Sequence, residues 1–568
     1  FWLKYPILNS NTMPSKTALM AVFLVLSIFN LLVGYAETHA EVKGESSCAQ
    51  DAGPSLLQLR TQSSLFNAPK EEPLAIIPAP KSVLRKKGVL EIPRITVDAP
   101  AALVRTLEEF IGPTVTGEDA FFQLRLKDVK LGEEGYVLNV SDRVVIEAAS
   151  EHGLFHGVMT VRQLLQKDSN SNDLNGSRWK IPRVEIRDEP ALHWRGLMLD
   201  VSRHFFYPAD VKHLLRTMAL FKMNHFHWHL TDDQGWRFPV AKYPNLIRLG
   251  AFRRASPLGH TDRTDNTPYN HSYTELEIED VISFAESLYI QVVPEFDLPG
   301  HSQAAIASYP ELGNFDSSEH WEPQVATSFG ALPYTLSPSE KSVNFTKDVL
   351  SEMARLFEKS SYIHIGGDEV STSQWSKSPV ALEVARENNV GLSHLEGMML
   401  EKASNHLHDL HRNAVVWDDA LDSANSLPQG TVVMIWREFV GLGKQGDKAA
   451  ARGHSVVLAP SEHAYFDRWQ DQKHAEFDAI CCFTPLSRVY NTPIRAGRAN
   501  VLGIQGQLWS EYIRQGARNL DYMAWPRGCA LAEVAWSGEQ RPGFQDFRER
   551  LQKRTQDFKA FDIYLGEI

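Results

Sequence analysis

Cysteine is scarce in this chain: there are four in 568 residues, Cys48, the adjacent Cys481-Cys482 and Cys529. Four are too few for a disulfide framework in a chain of this size, and none has the spacing of a metal-ligand pair. A single bridge from Cys529 to Cys481 or to Cys482 is compatible with the count. Basic runs are missing too, and the formal charge is −12, which argues against nucleic acid as the main partner and leaves neutral substrates unopposed. No Gly-x-Gly-x-x-Gly follows a first strand, so nothing marks a phosphate-bearing cofactor, and neither a cofactor nor a metal is expected.

Long apolar runs are equally rare. Only Ala18 to Val33 qualifies, about 16 residues where a spanning helix needs roughly 20. Met13 and Lys16 precede it, and Gly34-Tyr35-Ala36 or Thr38-His39-Ala40 follows with small residues suited to cleavage. This is the pattern of a signal peptide, with an uncleaved type II anchor as the alternative. Residues 1–36 are therefore expected to hold upstream residues plus this signal or anchor, and the mixed Glu, Ser, Gln and Pro of 37–73 a leader remnant or linker. Entry into the secretory pathway follows, with lysosome, cell surface and extracellular space left open, and membrane attachment only if the segment stays uncleaved. The sequons at Asn139, Asn175, Asn270 and Asn344 permit glycosylation but do not require it. A homodimer is left open.

What the chain does contain is globular in character, with 43% apolar and 23% charged residues. Thirteen Trp fill a large core or stack on flat ligand faces such as sugar rings, and only their positions can decide. Residues 74–190 alternate short β-rich runs (Phe121 to Leu126, Tyr136 to Val140, Val144 to Glu147) with a helical run near His152 to Gln166. This predicts a small α+β domain in which Gly153 and Gly157 serve helix packing. Residues 191–568 carry eight apolar runs separated by helical stretches, beginning near Trp194, Met223, Ile290, Tyr362, Ala414, Val432, Ser455 and Val501. That count predicts an α/β fold, a (β/α)8 TIM barrel, with a doubly wound open sheet as the rival.

Barrel enzymes place their chemistry at the carboxyl ends of the strands. The ends of these runs read Asp200 and Arg203; Asp232 and Asp233; Glu295, Asp297 and His301; Asp368 and Glu369; Trp417 and Asp418; Trp436; Tyr465 and Asp467; Trp509 and Glu511. Ordinary solvated charges would scatter, whereas here acids and aromatics share one rim. Two carboxylates flanking a glycosidic bond are the usual equipment of a glycosidase. Asp368 and Glu369, however, are neighbours, and neighbours in an extended segment point to opposite sides. They cannot face each other across a sugar as nucleophile and acid. The alternative is a substrate that brings its own nucleophile, a 2-acetamido oxygen, with Asp368 orienting that group and Glu369 donating the proton. Gly366 and Gly367 let the backbone turn sharply before the pair.

These residues resemble glycoside hydrolase family 20, the β-N-acetylhexosaminidases, from about residue 74 to the end. Arg195-Gly196 through His204-Phe205, His227 through Gln234, Pro294 through His301 and His364 through Glu369 are similar to its motifs on the first four strands. The resemblance implies a retaining enzyme that removes terminal β-linked GlcNAc or GalNAc from glycans. It further implies that Arg195 holds sugar hydroxyls and that Trp417, Trp436 and Trp509 wall the pocket. Tyr465 would hydrogen-bond the acetamido carbonyl, Asp467 and Glu511 would grip ring hydroxyls, and His301 with Asp232 would form a relay behind Glu369. One departure stands out: the eighth strand reads Gln505-Gly506-Gln507-Leu508-Trp509 where many relatives have Gly-Glu-Ala before the Trp.

Two rivals remain. His225, His227 and His229 alternate like a His-x-His metal pair, as in a barrel metallohydrolase, although three later strand ends carry Trp where further ligands should be. A glycan-binding protein on an inactive barrel would have no reason to keep Glu369 together with His301 and Asp232.

Overall fold

The computed structural model describes residues 74–568 except 118, 168–178, 315–323, 438–441, 472–476, 515 and 567. The signal or anchor in 1–36, the leader at 37–73, Cys48 and the sequon at Asn175 lie outside the described residues. No helix among the described residues is long and apolar enough to cross a membrane.

All eight predicted runs are parallel strands of one closed barrel: Trp194–Asp200, His225–His229, Gln291–Glu295, Tyr362–His364, Asn413–Trp417, Val432–Ile435, Ser455–Leu458 and Val501–Leu508. The eighth closes on the first, with Gly503 opposite Trp194 and Leu508 opposite Leu199. The open doubly wound sheet is thereby excluded. Closure removes the sheet edges, and the strands are largely buried and predominantly apolar. A Cβ at Gly503 would lie 1.7 Å from the Trp194 carbonyl. Gly503 therefore sets how tightly the seam closes.

Before the barrel stands the α+β layer. Its sheet runs, in spatial order, Ser82–Ile92, Trp179–Asp188, Tyr136–Val140, Val144–Ala148, Phe122–Leu126, Thr96–Asp98 and Val115–Thr116. Helix Glu151–Leu164 packs on it, capped by Ser150, whose hydroxyl accepts from the Gly153 amide. Gly153 and Gly157 do serve packing: their Cβ atoms would come within 2.4 Å of the Gly135 carbonyl and of Ile146.

Buried polar groups fasten this layer to the amino-terminal end of the barrel. Asp188 accepts from Lys222 Nζ at 3.0 Å, Tyr136 at 2.8 Å and the Trp536 indole at 2.9 Å, and both partners of the Lys222–Asp188 pair are fully buried. Taking such a pair out of water is costly, and the hydrogen bonds gathered on Asp188 offset part of that cost. The face that joins the two layers is thus the barrel's floor, and its opposite end is left free for loops.

Candidate active site

The free end holds a cavity of about 600 Å³, within the usual range for a small-molecule site. Its wall includes Arg203, His301, Asp368, Glu369, Trp417, Trp436, Tyr465, Asp467, Trp509 and Glu511. These come from seven of the eight strand ends, and Asp232, from the remaining one, lies directly behind His301. Trp417 and Trp509 lie 6.1 Å apart between ring centroids, Tyr465 and Trp509 6.3 Å, and Trp436 and Tyr465 6.4 Å. Three indoles and a phenol thus form a continuous curved wall. The Trp436 indole is fixed by donation to Asp419 at 2.9 Å, and its backbone amide by Asp418 at 3.1 Å. Trp417, Trp436 and Trp509 thus serve as wall, whereas Trp194, Trp228, Trp236, Trp375, Trp525 and Trp536 fill the core.

Gly366 and Gly367 carry the turn that the sequence predicted, with φ of +68° and +93°. A Cβ at Gly366 would fall 1.7 Å from Asp297 Oδ1, so neither the conformation nor the space admits another residue. Glu369 itself has φ +50°. The left-handed sequence of residues gives the two acids different depths: the Asp368 side chain is 14% exposed and that of Glu369 44%.

His301 binds the acids together. Its Nδ1 faces Asp232 at 3.3 Å and Asp233 at 3.5 Å, while Nε2 faces Asp368 at 3.6 Å and Glu369 at 3.8 Å. Burial disfavours its charged form, but Asp232 and Asp368 outweigh burial and hold the imidazole well above its ordinary pKa. Burial pushes Asp368 up to about 7, with Glu369 adding and His301 opposing. Burial also pushes Asp467 up to about 7, assisted by Glu511. The Tyr465 phenol is raised by burial and then by Asp368, so it stays a neutral donor.

The arginine assignment needs correcting. Arg195 is the second residue of the first strand and lies at the floor, where it pairs with Glu134 and donates to the Lys222 carbonyl at 2.8 Å and the Leu192 carbonyl at 2.9 Å. Five residues of strand, roughly 16 Å, separate it from the rim. It fastens the α+β layer and cannot reach a sugar in the cavity. Arg203, past the carboxyl end of the same strand, is the arginine of the site. It donates to Asp200 at 3.1 Å and Gln234 at 2.9 Å, pairs with Asp232 at 2.6 Å, and lies 3.8 Å from Glu511. Its position at a strand end was the signal that could have selected it.

The three alternating histidines also find their places. His225 stacks on Trp194 at 4.0 Å near the floor. His227 and His364 each contact Glu295 at 2.9 Å, and His229 joins Glu295 to Asp232, 3.0 Å from the latter. These carboxylates hold His229 well above its usual pKa despite burial, and the histidines hold Glu295 well below its own. The array is a buried chain of imidazoles and carboxylates leading to the back of Asp232, and in it burial pushes His227 down to about 4. In the departing eighth strand, Gln505 accepts from the Trp194 indole at 3.0 Å and contacts His227 at 2.9 Å. It fills the barrel interior below the cavity without displacing Trp509 or Glu511. Cys529 is buried and unbridged, while Cys481 and Cys482 are exposed beside the cavity, so the bridge that the cysteine count allowed is not made.

Residues 192–539 match the family described as glycosyl hydrolase family 20, catalytic domain, and residues 74–189 match its domain 2. The chain belongs to glycosyl hydrolase family 20. A β-hexosaminidase of Porphyromonas gingivalis is 36% identical over 74% of this chain, and one of Vibrio furnissii 34% identical over 71%. The chain spans 53% and 65% of their respective lengths. A β-hexosaminidase of Akkermansia muciniphila is 31% identical over 75% of this chain and 84% of its own. Among solved structures, the family 20 exo-β-N-acetylglucosaminidase of Vibrio harveyi in complex with N-acetylglucosamine superposes with a TM-score of 0.76 at 29% identity, covering 87% of this chain and 78% of that one.

Proposed function

We propose that the chain is an exo-acting, retaining β-N-acetylhexosaminidase that removes terminal β-linked GlcNAc or GalNAc by using the substrate's acetamido oxygen as nucleophile. One observation carries this: five buried polar atoms without hydrogen-bond partners line one cavity, namely Asp368 Oδ1, Asp467 Oδ1, Glu511 Oε2, the Trp417 indole nitrogen and His301 Nε2. Buried polar groups are nearly always paired. A set of acceptors and donors around an aromatic wall is completed by a polyhydroxylated ring carrying an amide.

The reaction follows from the two depths. The terminal sugar stacks against the indoles at the bottom of the cavity, with its hydroxyls on Asp467, Glu511 and Arg203. The deeper Asp368 accepts the acetamido N–H, and the Tyr465 phenol donates to the acetamido oxygen, holding it beneath the anomeric carbon. Glu369, at the mouth, protonates the glycosidic oxygen as that bond breaks, and the acetamido oxygen closes on the anomeric carbon. The resulting oxazolinium-like cation is stabilised by the Asp368 carboxylate. Glu369, now ionised, takes a proton from water, which opens the ring with net retention. His301, held by Asp232, faces Glu369 through both proton transfers.

Turnover of 4-nitrophenyl N-acetyl-β-glucosaminide tests the assignment. Glu369→Gln is expected to remove most activity while leaving binding of GlcNAc intact, and an unimpaired variant would overturn it. We further place the protein in the secretory pathway as a glycoprotein. The apolar segment Ala18 to Val33 supports this, as do exposed sequons at Asn270 and Asn344. Amino-terminal sequencing and enzymatic deglycosylation of the mature protein check both.

A further inference from the structure

The adjacent cysteines have no part in the reaction above, yet the fold brings them to it. The parallel pair Arg468–Trp469 and Ile480–Phe483 is irregular: Arg468 lies opposite Ile480, but Trp469 lies opposite Phe483. The two residues without counterparts are Cys481 and Cys482. A bulge leaves its extra residues out of the ladder and re-aims their side chains, and Cys482 adopts φ +81°, a region costly to a residue with a Cβ. Both thiols are exposed and line the same cavity as Glu369 and Tyr465. Their sulfurs are 2.8 Å apart, against a covalent S–S length of roughly 2.05 Å. The hydrogen bond between them, more than burial, pushes the Cys481 thiol up to about 11. The walls that would hold the terminal sugar are largely buried, so exposed groups on the same cavity flank its mouth, where the remainder of the glycan leaves.

We propose that Cys481 and Cys482 are a thiol-modification site that forms a reversible vicinal disulfide at the mouth of the substrate cavity, by exchange with a small-molecule disulfide such as glutathione disulfide. A thiolate of the pair attacks one glutathione sulfur and expels the other as a glutathione thiolate, leaving a mixed disulfide. The second cysteine gives its proton to solvent, attacks the protein sulfur of that mixed disulfide and expels the second glutathione. The two protein thiols lose two protons and two electrons in all, and one glutathione disulfide becomes two glutathione thiols. Adjacent residues hold their Cα atoms about 3.8 Å apart, short of the roughly 4.4–6.8 Å of ordinary disulfides, so the ring is strained and readily reduced. Strained, exposed disulfides are the labile ones. Closure removes two S–H donors from the rim and presents an apolar ridge to the face of the leaving-group sugar.

The effect on substrate rests on the hexosaminidase reading, but the chemistry of the pair does not. The full chain is equilibrated with glutathione disulfide or with dithiothreitol, alkylated, digested and weighed. In the oxidised sample the peptide carrying both cysteines should resist alkylation and be two hydrogens lighter, and dithiothreitol should restore two alkylations. For a β-1,4-linked GlcNAc trisaccharide, KM should be about threefold lower in the oxidised form, the effect of some 25–30 Å² of apolar contact. Inhibition by free GlcNAc, which fills only the bottom of the cavity, should be unchanged, and Cys482→Ser should abolish the response. Two alkylatable thiols after glutathione disulfide, retention of glutathione adducts alone, or equal KM in both states would overturn the proposal. If the ring forms in a protein that hydrolyses no hexosaminide, the disulfide stands and the reaction falls; if an active enzyme keeps two free thiols, the reverse holds.

Discussion

Asp368→Asn isolates the charge that the mechanism requires. The side chain keeps its size, and its amide oxygen can still accept the acetamido N–H, so ground-state binding is retained. What disappears is the negative charge beside the cation that forms when the acetamido oxygen closes on the anomeric carbon. A carboxylate accepting a hydrogen bond from that group places the opposite charges about 4 Å apart, and at an effective dielectric constant near 20 the attraction is about 4 kcal/mol. That corresponds to a loss of roughly 10³ in kcat with KM little changed, because the charge develops only in the transition state. The structure also supplies a control. Burial already pushes the Asp368 carboxyl up to about 7, so its ionised form is a cost to the folded state, and the variant should melt no lower than the parent at pH 8. The assay is steady-state hydrolysis of 4-nitrophenyl N-acetyl-β-glucosaminide and of its mono-, di- and trifluoroacetamido analogues, whose oxygens are progressively weaker nucleophiles. Parent kcat should fall steeply along that series. A loss under tenfold in Asp368→Asn, a flat fluorine series, or a sugar trapped covalently on Asp368 would refute the reasoning.

The two arginines should separate cleanly. Arg195→Met strands Glu134 in a buried site and should cost about 3–5 kcal/mol of stability while leaving kcat of the folded fraction near that of the parent. Arg203→Lys, by contrast, should cut kcat/KM at least about a hundredfold through loss of its planar fork; kinetics paired with thermal melts distinguish the two. The pH dependence of stability sums opposed contributions. Burial pushes Asp368 and Asp467 up to about 7 and Asp419 up to about 6, so the folded chain holds protons that the unfolded chain releases near pH 4. Their contribution is therefore lost as pH rises from about 4 towards 7. Glu134, which burial would raise but Arg195 and His156 hold far down, contributes with the opposite sign: its stabilisation is lost as pH falls below about 4. Burial also holds His152, His204 and His227 at about 4 and His225 at about 3, so below about pH 6.5 the unfolded chain binds protons that these rings refuse and stability falls again. Melts from pH 3 to 8 should show a maximum at about pH 6–7 with a loss on either side, and a monotonic profile would contradict the burial argument. Gly366→Ala should abolish activity, because φ of +68° and a Cβ 1.7 Å from Asp297 Oδ1 force the turn beneath both acids to move; parent-like turnover would refute that placement.

The barrel was legible because its eight strands are largely buried and therefore rich in apolar residues, although His225–His229, with three histidines, and Val501–Leu508, with two glutamines, carry polar side chains into the interior. The rim was legible for a related reason. Side chains just past the carboxyl ends need not be apolar, so acids and Trp at those positions stand out from the runs they follow. Arg195 shows where that logic gives way to analogy. It sits in the family's first-strand motif, but a motif spans the whole strand and does not say which end faces the substrate. Arg203, eight positions on, is selected by its place just past the strand's carboxyl end. The disposition of His227, His229, His364 and Glu295 was not legible, because alternation on one strand shows that residues share a side and not which partners meet them from the other strands.

Adjacency of Asp368 and Glu369 is a constraint in sequence and becomes a device in the fold. In an extended segment it would send the two carboxyls to opposite faces of a strand. The left-handed turn through Gly366 and Gly367, continued by the positive φ of Glu369, sends them to different depths of one cavity, the deeper one next to the buried carboxyl of Asp297 and the shallower one near solvent. Depth sets the chemistry of each. A base that must take a proton from incoming water has to stand where water enters, whereas a carboxylate that stabilises a cation acts best where water is excluded. Two adjacent acids can divide these tasks only if neither is the nucleophile, and the substrate must then bring one. In the proposed reaction the requirement for a 2-acetamido group rests on the positive φ angles at Gly366, Gly367 and Glu369 as much as on the wall that receives it.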